Sequence, residues 1–333
     1  MRVTGPGHFL FATGLAGLGV LSLISGDFAL VWQPVPAWVP WRETLAHASG
    51  ILLLAGGAGM FVKRITGLST LAMTIYVLSW VLFLQVPRVA QAPLDMGMWL
   101  GFAESLLLMS GGWILFGSLA EPRLRMRMKF IAGGEGTRVA RYLIGISCLI
   151  LGLSHFIYAD ATAGMVPAWL PYRLGFAYLT GAGHLSAGLG ILCAVLPRLA
   201  ATLEAAMISS FVLLVHLPGV ASAPTSRLQW TMLFVASAYA GAAWAAARSL
   251  QETAWGWASS PVESTRAPES LYSLNEVEPI RSVPSAEGAP IRLFELKPRI
   301  EGAMVLRQVV VVPKPDLGNV LGAELHESSF GGK

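Results

Sequence analysis

VPAWVP, at residues 35–40, returns 131 residues later as VPAWLP at residues 166–171. The block VPRVAQAP at residues 86–93 returns at the same distance as LPGVASAP at residues 217–224. Isolated residues follow this offset too: Trp99 and Trp230, Trp113 and Trp244, Gly14 and Gly145. Chance does not place separated landmarks on one offset. We therefore interpret the chain as a duplicated unit whose function lies within or between its two copies.

The composition is that of a membrane protein. Apolar residues make up 54% of the 333 residues and charged residues 13%, against about 25% charged in soluble domains. Mean hydropathy is +0.61 and the pI is near 9.2. We attribute the basic excess to membrane-flanking loops, so it does not indicate a nucleic-acid partner.

Eight apolar stretches are each long enough to cross a bilayer of about 30 Å as a helix. They lie near residues 8–29, 44–62, 66–86, 97–118, 140–159, 174–196, 199–217 and 228–248. The first lacks a convincing cleavage site and matches the fifth, which predicts a retained span instead of a signal peptide. The predicted fold is an all-α integral membrane protein with two tandem, parallel four-helix bundles, residues 1–119 and 140–248, joined by a basic cytoplasmic linker at 120–139.

Lysine and arginine are distributed unequally between the two sides of this topology. With the N-terminus inside, eleven of the fifteen in residues 1–248 fall on the cytoplasmic side and only Arg42, Arg88, Arg173 and Arg227 on the other. The positive-inside rule then predicts that both termini are cytoplasmic and that both VPAW loops face outward.

Residues 249–333 differ from the rest of the chain and form a cytoplasmic tail. Frequent Ser-Pro and Glu-Pro pairs predict a mostly disordered linker over 249–289. Ile291–Leu296 and Met304–Val312 could pair as a small hairpin around Pro298–Gly302. The alternative is a tail without regular structure throughout.

Four motifs of the second copy carry a family resemblance: GLSHF at 152–156, VPAWLP at 166–171, YLTGAGH at 178–184 and GLGIL at 188–192. Residues 140–248 resemble the DoxX family of bacterial membrane proteins, and residues 8–118 resemble it more weakly. The resemblance implies a four-helix membrane bundle as the repeating unit and a location in the bacterial plasma (inner) membrane. The family takes its name from a subunit associated with a thiosulfate:quinone oxidoreductase, so the resemblance also implies a redox association.

Intramembrane histidines are the main functional candidates, because ionisable groups in a bilayer are rare and costly. His47, His155, His184 and His216 all fall in the predicted outer half of the membrane, beneath the VPAW loops. We therefore predict an outward-opening pocket in the second bundle. Its members would be His155, His184 and His216, with Trp169 as the roof and Tyr158 or Tyr178 as lining.

Three interpretations of these histidines remain open. Two imidazoles could ligate a haem b, although no spacing here requires it. The histidines and aromatic rings could bind a quinone or another small molecule, with His184 as the carbonyl partner because it lies deepest. They could also be structural contacts between closely packed helices, which the neighbouring glycines favour.

In the first copy, His47 aligns with His184 if the second copy has six extra residues, whereas the strict offset places Tyr178 opposite His47. We predict a polar pair between His47 and Glu104, which lie at similar depths. Glu204 is expected near the inner end of its span, where it can reach water. Cys148 and Cys193 are expected to act as small apolar residues.

No catalytic, phosphate-binding, dinucleotide-binding or metal-binding motif is present in the sequence. The leading hypothesis is a DoxX-like accessory membrane protein, non-catalytic by itself, which supports a redox partner protein by holding a quinone-like lipid. The alternatives are a transporter or permease of a small apolar solute, and a purely structural membrane scaffold.

Overall fold

The computed structural model describes residues 5–253, 255, 279–283, 291–295 and 309–312. Residues 5–253 are almost entirely helical. The helices are α1 (Gly5–Ser25), α2 (Arg42–Gly59), α3 (Thr66–Trp80), α4 (Val86–Gln91), α5 (Met96–Leu119), α6 (Pro122–Arg127), α7 (Lys129–Ala132), α8 (Gly134–Ile157), α9 (Ala159–Met165), α10 (Arg173–Leu192), α11 (Pro197–Phe211), α12 (Leu217–Ser222) and α13 (Arg227–Ser249). The predicted linker at 120–139 is thus largely helical, and α8 begins six residues earlier than expected.

Six segments of the described chain are long and apolar enough to cross a bilayer. They are Gly5–Ser25, Thr66–Gln91, Met96–Leu119, Gly134–Ile157, Pro197–Ser222 and Arg227–Ser249. The prediction of an all-α membrane protein is confirmed at this level. The other two predicted spans form α2 and α10, helices of 18 and 20 residues. Both are rich in glycine and alanine, which contribute little hydropathy but allow close packing.

Two spans are longer than the sequence suggests because each contains a π-helical turn before a proline. Val81–Gln85 joins α3 to α4, and Val212–His216 joins α11 to α12. Proline has no N–H to donate, and the wider turn absorbs the missing hydrogen bond. The helices therefore continue through Pro87 and Pro218 to Gln91 and Ser222, where the sequence predicted ends near residues 86 and 217.

Helix boundaries fall at matching positions 131 residues apart. α2 and α10 begin after Trp41 and Tyr172, both left-handed with φ of 53°. The two π-helical segments and the starts of α5 and α13 follow the same spacing. This spacing sets Tyr178 opposite His47 and favours the strict offset over the alignment of His47 with His184. The residue opposite His184 is Leu53.

The helices of the two halves pack across each other. α1 packs against α2 and α13, α8 against α10 and α5, and α5 also contacts α13. The last helix of each half thus lies on the first helix of the other half. One compact unit, Met1–Ala258, results, so residues 1–119 and 140–248 do not form two separate bundles.

Glycines make the contact between α1 and α13 possible. A Cβ on Gly7 would lie 2.9 Å from backbone atoms of Gly241 and Ala245, and one on Gly14 would lie 2.7 Å from the Ala238 nitrogen. Only a residue without a side chain allows the two backbones to approach this closely. The two halves are therefore held together by backbone packing as well as by side chains.

The second unit, Ser259–Lys333, contains a three-stranded antiparallel sheet in the order β1-β2-β3. The strands are β1 (Pro279–Val283), β2 (Ile291–Glu295) and β3 (Val309–Val312), and Leu293 pairs with Val311. The β2–β3 pairing is the hairpin that the sequence suggested, although Pro298–Gly302 lies outside the described residues. β1 falls in the segment predicted as disordered, so that prediction is wrong for these five residues.

Candidate functional site: a buried carboxylate between imidazole and thiol

His184 and Glu204 form a hydrogen-bonded pair inside the second half of the molecule. His184 lies on α10 and Glu204 on α11, and the His184 Nδ1 donates to the Glu204 Oε1 over 2.7 Å. The two residues are only 3% and 2% exposed. Removing a charge or a dipole from water is costly unless a partner satisfies it. Each of these side chains is therefore held in place by the other.

His155 brings a second imidazole to this pair. Its ring centroid lies 4.8 Å from that of His184, and its Nδ1 donates to the Leu151 carbonyl over 2.8 Å. Glycine creates the space, because a Cβ on Gly181 of α10 would lie 2.9 Å from the His155 Cβ. The predicted meeting of histidines from α8 and α10 is present in the structure.

Cys148 lies two helical turns before His155 on α8 and completes the cluster. Its thiol donates to the Glu204 Oε1 over 3.6 Å, within the range of a sulfur hydrogen bond. Cys148 is fully buried, so it is a polar partner of the carboxyl group as well as a small core residue. The expectation that it only fills apolar space is wrong.

Glu204 was expected near the inner end of its span, with access to water. It does lie near that end, about 10 Å along the span that begins at Pro197, but its side chain is only 1% exposed and bonds to His184 and Cys148, so the expected access to water is wrong. The sequence contained one usable signal: Cys148 and His155 share a face of α8. Nothing in it indicated that α11 faces them.

The remaining residues of the predicted pocket lie elsewhere. Among the described residues, no hydrogen bond or ring contact joins His216 to His155 or His184. Trp169 is 71% exposed and does not roof the cluster. Tyr178 stacks on Phe156 with ring centroids 5.7 Å apart. The predicted outward-opening pocket is therefore reduced to the buried pair of rings and its carboxyl partner.

A groove adjoins the cluster on the side of the α10–α11 turn. Its volume is about 550 Å³, and Glu204 is its one ionisable carboxyl group among apolar and small residues. The groove is lined by Gly183, Ser186, Ala187, Leu189, Gly190, Cys193, Val195, Leu196, Leu199, Ala200, Leu203, Glu204 and Met207. The Glu204 Oε2 is buried and has no hydrogen-bond partner among the described residues. An apolar space thus meets an unsatisfied acceptor.

The corresponding positions of the first half are apolar. Leu53 and Met73 lie opposite His184 and Glu204 by the 131-residue offset, and both are fully buried. Gly17 lies opposite Cys148, and Ile24 lies opposite His155. These four positions therefore hold apolar residues in the first half and the polar cluster in the second.

The first half has its own polar groups, but they do not form the predicted pair. The hydrogen-bond partners of the Glu104 side chain are Trp32 and Tyr239, and the Trp32 Nε1 also donates to the Tyr239 hydroxyl over 2.6 Å. His47 instead bonds through its Nδ1 to the Glu43 carbonyl over 2.9 Å. Tyr239 lies on α13, in the other half, so the His47–Glu104 prediction failed because it looked for a partner within one copy.

An ion cluster joins the two halves at the predicted outer surface. Asp27 forms salt bridges with Arg42 and, over 3.6 Å, with Arg227 at the start of α13. Burial by itself would raise the pKa of Asp27, but the Phe28 N–H and the two guanidinium groups together hold this pKa below its usual value. The ionised aspartate therefore stabilises the contact between α13 and the first half.

The cluster does not suit a haem or a metal ion. In a bis-histidine haem the two imidazoles point a ring nitrogen at the iron from opposite faces of the porphyrin, whereas the His155 and His184 rings lie against each other with centroids 4.8 Å apart. In the part of the chain that the structure describes, no group of three or more His, Cys, Asp or Glu side chains is arranged to hold a metal ion. The cluster is held by hydrogen bonds and a contact between the two rings.

Comparison of the chain with protein-family models, with curated proteins and with solved structures found no match. The function is therefore argued from the site itself.

Proposed function

We propose that the chain is a DoxX-like, internally duplicated protein of the bacterial plasma membrane, with eight crossings and both termini in the cytoplasm. The matching helix boundaries 131 residues apart support the duplication. The eleven-to-four distribution of lysine and arginine supports the orientation. α2 and α10, at 18 and 20 residues, are long enough to cross as helices buried among their neighbours.

Within this frame, the protein is an accessory component of a membrane redox system and holds a quinone-like lipid beside the His184–Glu204 pair. The observation that carries this function is the hydrogen bond between these two side chains, buried next to an apolar groove. The orphaned Glu204 Oε2 and the groove volume fit a ring with polar substituents. A quinone supplies an electron and proton carrier that is soluble in the membrane.

The pair's own contribution is to orient the head group and to hold a proton. A hydrogen-bonded carboxylate and imidazole can exchange one proton between the Glu204 Oε1 and the His184 Nδ1 with little movement. His155 stands next to His184, and two imidazolium ions at 4.8 Å would repel each other. The cluster is therefore suited to carry a single extra proton.

The test is an absorption spectrum and a lipid extract of the purified protein, compared between wild type and His184→Ala. We expect quinone in the wild-type extract and its loss from a folded His184→Ala variant. His216→Ala is the matched control, since it removes an imidazole outside the cluster, and it should retain the quinone. A wild-type protein without quinone, or a His184→Ala variant that keeps it, would contradict the proposal.

The second candidate is a carrier of a small apolar solute, favoured by the predominantly apolar lining of the groove. The effect of His184→Ala distinguishes this function from the binding of a quinone. A carrier would keep its transport of an apolar solute into vesicles when the imidazole is removed, because no step of that transport needs a proton.

A further inference from the structure

The groove between α10 and α11 opens sideways, toward the lipid. Leu189 of α10 and Leu203 of α11 line it and are 53% and 60% exposed. Large exposed apolar side chains on membrane-spanning helices face hydrocarbon. A molecule that reaches Glu204 through this opening therefore comes from the bilayer and must itself be largely apolar.

Glu204 lines this groove, and only one of its two carboxyl oxygens accepts a hydrogen bond. The Oε1 accepts from His184 and from Cys148, while the Oε2 is buried without a partner among the described residues. Its side chain is only 1% exposed. A buried acceptor without a partner is costly, and native structures rarely leave one unsatisfied.

In its carboxylate form, which accepts at Oε1 from the imidazole N–H and from the thiol, Glu204 can only accept at Oε2, so the missing partner is a hydrogen-bond donor. A hydroxyl supplies that hydrogen. A carbonyl or an ether oxygen has none, and it would need a proton on the carboxyl group.

We propose that this groove binds a membrane-soluble phenol-like molecule, which enters from the lipid and donates its hydroxyl to the Glu204 Oε2. This inference rests on the proposed function and specifies it: of the two forms of a quinone-like lipid, the site selects the reduced, hydroxyl-bearing one. The oxidised form presents only carbonyl acceptors and binds more weakly.

Cys193 provides a built-in probe. It lines the groove and is exposed, whereas the second cysteine of the chain, Cys148, is buried. In lipid nanodiscs, the rate at which a membrane-permeant maleimide labels the full-length protein therefore reports on Cys193, and Cys193→Ser should abolish the labelling. The two probe ligands are 4-nonylphenol and 4-nonylanisole. They differ in one group: a methyl group in the anisole replaces the hydroxyl hydrogen of the phenol.

We expect 4-nonylphenol to protect Cys193 at a concentration about tenfold lower than 4-nonylanisole, the selectivity of one hydrogen bond. In Glu204→Gln the preference should fall below about threefold. Ser186→Trp fills the groove from an exposed position and should abolish protection, while Ala182→Trp, exposed on α10 but outside the groove, should not.

Equal protection by the two probes, no protection by either, or protection that persists in Ser186→Trp would each overturn the inference. These failures differ from failure of the proposed function. If His184→Ala loses co-purified quinone but neither probe protects Cys193, the quinone site stands and this lateral groove is wrong. If the phenol protects selectively but no quinone co-purifies, the groove stands and the redox role is wrong.

Discussion

The two halves differ in chemistry at the two helix positions that hold the His184–Glu204 pair. The first half places Leu53 and Met73 where the second places His184 and Glu204, and all four are buried. Leucine and methionine fill this space without any polar partner, so the fold does not require a carboxylate there. A buried polar cluster that the fold does not require, next to an apolar groove, is typical of a ligand-binding site.

The comparison assumes that the two halves insert into the membrane in the same direction. The test of this assumption has the largest expected effect. With eight crossings, a reporter at residue 130 is cytoplasmic and one at 165 is not. If α2 and α10 do not cross, both signals reverse, because each half then has three crossings. A reporter at 260 is cytoplasmic in both cases and serves as the control.

Transferring the carboxylate to the first half should be strongly destabilising. Met73→Glu places a carboxyl group at a fully buried position whose half has Leu53 in place of the imidazole, and an unpaired buried charge costs about 3–5 kcal/mol. The free energy of unfolding in detergent measures the loss. Met73→Leu, which keeps the site apolar, should change it by less than about 1.5 kcal/mol. A Met73→Glu protein as stable as wild type would show that the first half already accommodates charge.

A double-mutant cycle on the second half should show a smaller but clear coupling. His184→Leu alone leaves Glu204 with only the thiol, and Glu204→Met alone leaves the imidazole unpaired. The double variant recreates the first half's residues and should be less destabilised than the sum of the singles by about 1.5–3 kcal/mol. Additive effects would mean that the 2.7 Å contact contributes nothing.

The positions of the helices could be predicted from the sequence, but their partners could not. Apolar runs located the six long apolar helices as well as α2 and α10. Two spans were predicted too short because Pro87 and Pro218 were taken as helix ends, whereas the helices continue past them to Gln91 and Ser222. Helices that are apolar on most sides do not reveal which neighbour they pack against. The contact between α1 and α13, and with it Tyr239 as the partner of Glu104, was for that reason not predictable.

The same limit applied to the site. His155 and His184 were identified because intramembrane histidines are rare. Glu204 was expected to reach water because it lies near the end of its span, and the sequence did not indicate that α11 turns this side chain toward α8 and α10. Cys148 had only its spacing from His155 to indicate a role, and a thiol becomes informative only when a carboxylate is seen to face it.

The smallest predicted effect concerns the contact between the halves at the outer surface. Asp27→Asn should lower the free energy of unfolding at pH 7 by about 0.5–1 kcal/mol, the range for a partly exposed ion pair. Because the pKa of Asp27 is lowered by folding, this stability is present above its usual pKa of 3.8 and is lost as pH falls through the lower folded value. The difference between wild type and variant should therefore shrink below about pH 4. Asp160→Asn, an exposed carboxylate of the other half, is the matched control.

The central claim is that the polar cluster of the second half serves a ligand and not the fold. The most direct measurement is the lipid extract of the His184→Leu/Glu204→Met double variant, which carries the first half's residues at both positions. Our account predicts a folded protein, with a cooperative unfolding transition, that has lost the quinone found with wild type. A double variant that retains the quinone, or one that cannot fold at all, would contradict it.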